Sequence, residues 1–267
     1  MVRRRAGDAG GAPDVLDVSE RFWSSGGERL DVDGAVLVRN PAAPGHPSGT
    51  FLTAVRTGSA EQLDRVLARC HDLVEGGCRR VVVDAATPPV VAAHLAVEDW
   101  TPTTQLHLVL PATAAVPAAG IAPRPLSTDE DWARATELFR ADHLEEDARH
   151  VRSARPAAAT AAAVALRRSL TPAATWFAVE RDGGFVAMVA AWAGDGGTGV
   201  VEDVFVRPDA RHAGLARELL RFAVGQARAG GAGPVLIGAE TDDTPKHLYA
   251  RFGFRPAAVG HSWVRGT

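Results

Sequence analysis

The chain has 267 residues, of which 46% are hydrophobic and 23% charged, and a formal net charge of −3. That length suits two domains of moderate size, and the composition is ordinary for a globular protein. No apolar run is long enough for a membrane span, and the charge offers no basic field for nucleic acid, so neither partner is expected and a cytoplasmic location is.

Met1 to Asp8 carries arginines with no apolar run behind them. It reads as the start of a flexible tail over 1–14 rather than a secretion signal. A first domain is expected over 15–111. Ala35 to Val38 and Thr50 to Val55 read as strands, and Ser59 to Glu75 as a helix with Leu63, Val66, Leu67 and Leu73 on one side. Arg80 to Asp84 reads as a strand, Pro88 to Leu95 as a short helix, and Gln105 to Leu110 as a closing strand. Cys70 and Cys78 match no zinc spacing and cannot form a disulfide framework; they read as reduced thiols, and no metal is expected.

The stretch 112–123, small and Pro-rich and without charge, reads as a linker. Beyond it, Ser127-Thr128-Asp129-Glu130-Asp131 is a helix-start signal, and Trp132, Ala135, Leu138 and Phe139 recur at helical spacing. Ala157 to Leu170 is a second helix. Thr175 to Glu180 and Phe185 to Ala190 flank Arg181-Asp182-Gly183-Gly184, a hairpin turn. A third strand follows from Gly199 to Val206, then a helix from Leu215 to Ala229. A strand from Pro234 to Gly238, a short helix near Thr244 to Phe252 and a last strand ending near Val264 complete the order. The first domain repeats the later part of this order, which predicts an internal repeat.

The chemistry is concentrated in Val206-Arg207-Pro208-Asp209-Ala210-Arg211-His212-Ala213-Gly214-Leu215-Ala216. A strand ends, the chain turns, and a helix begins with small residues. Free N–H groups at a helix start attract an anion, small residues let a diphosphate approach, and Arg211 adds charge beside it. The order is neither that of a Walker loop nor that of a Rossmann fingerprint.

Val206-x-Pro208-x-x-Arg211-x-x-Gly214-x-Ala216 resembles the pyrophosphate motif of the GNAT superfamily of acetyl-CoA-dependent N-acetyltransferases. Asp242-x-x-Pro245-x-x-Leu248-Tyr249-x-x-x-Gly253-Phe254 resembles that superfamily's next motif, with Asp242 for the usual asparagine and Pro245 for alanine. His212 stands where a glycine is frequent. The resemblance covers about Ile121 to Thr267 and implies a catalytic domain over 124–267. The implied fold class is α/β (α+β): two tandem GNAT-like domains, each a mixed, mostly antiparallel sheet flanked by helices. The first would be degenerate, since no Arg-x-x-Gly cradle lies between its strand and its helix.

The resemblance implies acetyl-CoA as co-substrate, held by Val204, Phe205, Val206, Arg211, His212, Ala213, Gly214, Leu215, Ala216 and Asp242. It implies direct attack by an amine, with Glu202 as base and Tyr249 as acid at the leaving thiolate. Strand alternation allows one of the neighbours Glu202 and Asp203 to face the site, and Glu202 is favoured. The acidic stretch Asp142 to Asp147 reads either as a site that attracts a cationic acceptor or as a solvated loop or helix end, and His261 and Trp263 are candidates for the cleft wall or for a core or surface role. The expected acceptor is a primary amine on a small molecule. A protein or peptide N-acetyltransferase and a non-catalytic acetyl-CoA sensor are the alternatives, and a monomer or homodimer the expected assembly.

Overall fold

Turn chemistry and apolar alternation dictate the elements of a computed structural model that describes residues 14–195 and 197–266. The tail expected over 1–14 lies outside these residues except for Asp14, whose carboxylate caps the first helix by accepting from Leu16 N at 3.0 Å. The first half runs α1 (Val15–Ser24), β1 (Glu28–Val32), β2 (Ala35–Arg39), β3 (Thr50–Thr53), α2 (Ala60–Leu73), β4 (Arg80–Val83), α3 (Pro89–Val97) and β5 (Thr101–Leu110). The second half runs β6 (Arg124–Pro125), α4 (Asp129–Arg149), α5 (Ala157–Ser169), β7 (Ala174–Arg181), β8 (Gly184–Trp192), β9 (Gly199–Val206), α6 (Leu215–Ala229), β10 (Val235–Glu240), α7 (Pro245–Phe252) and β11 (Arg255–Val264). The expected elements form with ends shifted by a few residues. Helix α1 and strands β1 and β6 are additions, β1 being too polar to announce itself.

Local signals account for the boundaries. Thr128 and Asp131 close a reciprocal capping box at the start of α4, and Ser59 caps α2 by accepting from Gln62 N at 3.3 Å. Asp182 and Gly183 take φ of 50° and 77° at the β7–β8 turn, the left-handed values such a hairpin requires.

Pairing then decides the architecture. All strands form one sheet in the order β1-β2-β3-β4-β11-β5-β10-β9-β8-β7-β6. Exchanging each strand of the first half for its counterpart in the second, β1 to β5 for β7 to β11, reverses this order without changing it, β6 aside. The internal repeat is therefore a pseudo-twofold about the β5–β11 pair. The two units do not close separate sheets. Strand β11 crosses to pair with β4, His261 to Val264 opposite Val83 to Arg80, while β5 pairs with β10, Gln105 to Leu110 opposite Glu240 to Val235. The stretch 112–123 follows this exchange and is pinned on α6: Arg228 donates to the carbonyls of Ala114 (2.7 Å) and Pro111 (2.8 Å), and Gly120 N to Glu218 (2.6 Å).

Helices cover both faces of the sheet. One core joins α6 and α7 to the sheet through Leu215, Leu219, Ala223, Tyr249 and Phe254. A second, on the opposite face, joins α1, α4 and α5 through Phe22, Trp132, Phe139, Val164 and Trp176. A third lies under α2 and α3, and Trp263 of β11 packs against it. Cys70 and Cys78 are free and buried, and burial pushes their thiols up to about 11 and about 12, so both are inert packing groups.

Candidate active site

Strands β9 and β10 run parallel and pair only from Gly199–Val235 to Val201–Ile237; beyond that they diverge. Glu202 and Gly238 are the first residues past the last rung. Two positive-φ residues follow the same break in the two halves, Asp203 (51°) in β9 and Ala54 (50°) after β3. The register of β9 against β8 shifts there, between Met188 and Ala190. The bulge overturns the alternation expected for the acid pair, because an extra residue on one strand cancels the inversion of facing. Both Glu202 and Asp203 turn to the side of α4 and α5.

Their surroundings then separate them. Arg167 of α5 binds Asp203 through Nε at 2.7 Å and Nη2 at 2.8 Å, and Trp176 Nε1 donates to the same carboxylate at 2.8 Å. Among the described residues Glu202 has no ion-pair partner. Burial, reinforced by the negative charge of Asp203, pushes its carboxyl up to about 8. A carboxyl that titrates there is poised to take and release a proton near neutral pH.

Tyr249 of α7 is 6% exposed and belongs to the core under α6. Burial raises its phenol, and the next contribution is the charge of Glu202. The residues lie on opposite sides of the sheet, so they sense each other through the opening between β9 and β10.

The turn after β9 is a cradle of main-chain donors. A short 3₁₀ turn, Pro208–Ala210, leads to His212 at φ 65° and to Gly214, the cap of α6, at φ 75°. Arg211 N bonds to Pro208 O, and the helix pattern resumes with Arg217 N on Gly214 O. Among the described residues the N–H groups of His212, Ala213, Gly214, Leu215 and Ala216 have no backbone acceptor. Space is open in front of Gly214, where an added Cβ would meet nothing within 4 Å. These groups fit a diphosphate.

The side chain of Arg211 does not point free into that space. It donates to Glu145 of α4 through both terminal nitrogens, at 2.7 and 2.6 Å, and to Val206 O at 2.9 Å. Asp242 is exposed on the turn before α7, and its neighbour Asp243 turns inward to meet Arg149 at 2.5 Å.

The acidic stretch Asp142 to Asp147 is not a loop: it forms the last turns of α4. Its acids are mostly spent on arginines, Glu145 on Arg211 and Asp147 on Arg155 at 2.6 Å. Asp142 has no such partner among the described residues, and burial with the nearby charge of Asp203 pushes it up to about 7. His261 is exposed and Trp263 packs in the first half's core, so neither joins Glu202.

Sequence reasoning missed the contributions of the first half. The loop after β2 docks on α5, with Asn40 Nδ2 donating to Ser169 Oγ at 2.7 Å. It carries His46, whose Nδ1 accepts from Ser48 N at 3.1 Å. Burial, with the charges of Arg167 and His143 next, lowers His46 to about 3, so it stays neutral beside the cleft. No local signal marks such a residue, because nothing near it in sequence names its neighbours.

The equivalent opening in the first half is closed. Strands β3 and β4 pair at Phe51–Arg80 and Leu52–Val81, and past that point Arg56 clamps Asp84 at 3.0 and 2.7 Å. Gln62 returns to Gly58 N at 2.7 Å while its own N–H goes to Ser59 Oγ, so two of the donors at the start of α2 are taken. Ala93, four residues after Pro89 at the start of α3, stands where α7 carries Tyr249.

Residues 132–254 match the Acetyltransferase (GNAT) family. A GCN5-related N-acetyltransferase from Kribbella flavida superposes with a TM-score of 0.61 at 19% identity, covering 95% of each chain. A functionally unknown conserved protein from Staphylococcus epidermidis gives 0.61 at 12% identity, over 90% of this chain and 94% of the other. A GCN5-related N-acetyltransferase from Sphaerobacter thermophilus gives 0.52 at 16%, over 88% and 82%. No curated protein matches the sequence. At these identities the solved structures share the fold, on both halves of the chain, while the family match covers the cradle, Glu202 and Tyr249. Residues 132–254 are a GNAT-family acetyltransferase domain, and the chain is an acyltransferase.

Proposed function

We propose that the protein transfers the acetyl group of acetyl-CoA to a primary amine of a small, cationic molecule. The observation that carries this reading is Glu202, a carboxyl with no ion-pair partner among the described residues, pushed up to about 8 by burial beside the opening between β9 and β10, with Tyr249 across the sheet. The N–H groups of residues 212–216 hold the diphosphate, and the backbone of Val204 to Val206 binds the pantetheine arm along the free edge of β9. Glu202 takes a proton from the acceptor ammonium, directly or through a water. The freed amine then forms its bond to the thioester carbonyl carbon. As the carbon–sulfur bond breaks, Tyr249 supplies a proton to the thiolate, and the second proton that the nitrogen sheds on becoming an amide restores the phenol, leaving an amide and a free thiol.

Two features favour a small cation over a peptide. Among the described residues Asp142 and Glu202 form no ion pair with an arginine, and α4, α5 and the His46 loop wall the acceptor side. Thiol release from acetyl-CoA, measured against a panel of small diamines, monoamines and peptides, tests the reading. Acceleration by peptides alone would replace it with a peptide acetyltransferase; acetyl-CoA binding without turnover on any amine would make the protein a sensor.

A further inference from the structure

Strand β5 belongs to the first half of the chain but reaches the active site, because it lies between β10 and β11. Gln105 stands opposite Glu240 on one side and Gly260 on the other. Its side chain leans along the strand over Gly238. A Cβ on Gly238 would sit 2.5 Å from Gln105 Nε2 and 3.5 Å from Glu202 Oε1. The amide and the carboxylate thus share the space over the one residue of β10 at this level that has no side chain. That space exists because the β9–β10 ladder ends at Val201–Ile237. Among the described residues neither Gln105 nor Glu202 has a side-chain hydrogen-bond partner.

We propose that Gln105 is a positioning residue of the active site, its amide N–H donating to the Glu202 carboxylate across Gly238 and holding that oxygen toward the acceptor. The inference rests on the reading of the Glu202 cleft as the active site. A neutral donor suits the place. An arginine or lysine there would hold Glu202 permanently ionised, weakening it as a base, and an apolar residue would leave the carboxylate with only the backbone N–H of Asp203. The other groups whose charges act with that of Glu202 are Asp203 of its own strand, Arg167 of α5 and Tyr249 of α7. Of these, Arg167 is bound to Asp203, and the Tyr249 phenol lies on the other side of the sheet, so Gln105 is a neutral side-chain donor on the face that Glu202 occupies. The first half thereby supplies part of the active site, which its own closed opening cannot form.

The test is the titration of Glu202 followed by ¹³C NMR of glutamate carboxyls in the full-length protein, with Glu202→Gln identifying the resonance. Removing the donor in Gln105→Leu should raise the midpoint by about one pH unit. Gly238→Ala displaces only the flexible end of Gln105 and should move the midpoint in the same direction. Melting curves confirm that each variant is folded. An unchanged midpoint in both variants would overturn the proposal. A shifted midpoint with an unshifted pH–rate profile would uphold Gln105 and remove Glu202 as the base.

Discussion

Arg167 grips both oxygens of Asp203, at 2.7 and 2.8 Å, with the two side chains only 12% and 11% exposed. This pair locks α5 to the bulge of β9 and holds the Asp203 carboxylate in an ion pair. The neighbouring Glu202 is left as the acid whose proton can move.

Breaking that pair exposes its structural role. Asp203→Asn keeps the shape and leaves the buried guanidinium without its main counter-charge. Losing one partner of a buried pair costs about 3–5 kcal/mol. In a chain of this size that lowers Tm by roughly 10 °C. Thermal unfolding of the variant with an unchanged Tm would mean the pair is not structural.

Glu202→Gln separates activity from stability. The folded carboxyl titrates at about 8, above its ordinary value of 4.5, so the native state binds the proton more tightly than the unfolded chain. The stability this confers is full below about pH 4.5 and is lost as pH rises through 8. The variant should therefore unfold at higher temperature than wild type, by an amount that grows across that window up to about 5 kcal/mol. Turnover should fall about 100-fold near pH 7.5, with partial recovery in alkaline buffer where free amine is present without a base. A variant that keeps the wild-type pH–rate profile would exclude Glu202 as the base.

Tyr249→Phe removes one hydroxyl and leaves the ring, 6.2 Å from that of Phe254, in the core. A general acid is worth about 10²–10⁴-fold, and the low end is expected because a thiolate already leaves readily. The expected result is kcat down by roughly ten- to a hundredfold with acetyl-CoA affinity and Tm nearly unchanged. Measured on one preparation, full kcat with a lowered Tm would make the tyrosine a packing residue.

Arg211 and Glu145 form the clamp between the cradle and α4, and a mutant cycle reads their coupling. Arg211→Ala leaves Glu145 as an unpaired negative charge near the diphosphate. Acetyl-CoA affinity by calorimetry should fall about tenfold. The double variant Arg211→Ala/Glu145→Ala should regain most of that loss, since the N–H groups of 212–216 remain. Equal losses in the single and double variants would mean that Arg211 itself holds the diphosphate. The stoichiometry should be one acetyl-CoA per chain, because two of the donors at the start of α2 are occupied by Ser59 and Gln62.

What depends on neighbours along the chain is legible in the residues themselves. Helix α6, strand β9, the β7–β8 hairpin and the capping box of α4 follow from periodicity, turn residues and caps. The cradle is legible too, because five consecutive free N–H groups need only a turn, small residues and a helix start. Only the tertiary structure decided the rest. Whether β5 pairs with β10 or with its own half depends on partners more than a hundred residues away, and an alternating strand pattern is the same for either partner. The bulge at Asp203 depends on the register against β8, so the facing of Glu202 and Asp203 could not be taken from period-two alternation. Arg167, Glu145, His46 and Gln105 acquire their places through the same long-range packing. Their roles come from what lies across the sheet, and that is encoded in the sum of many weak contacts rather than in any local run of residues.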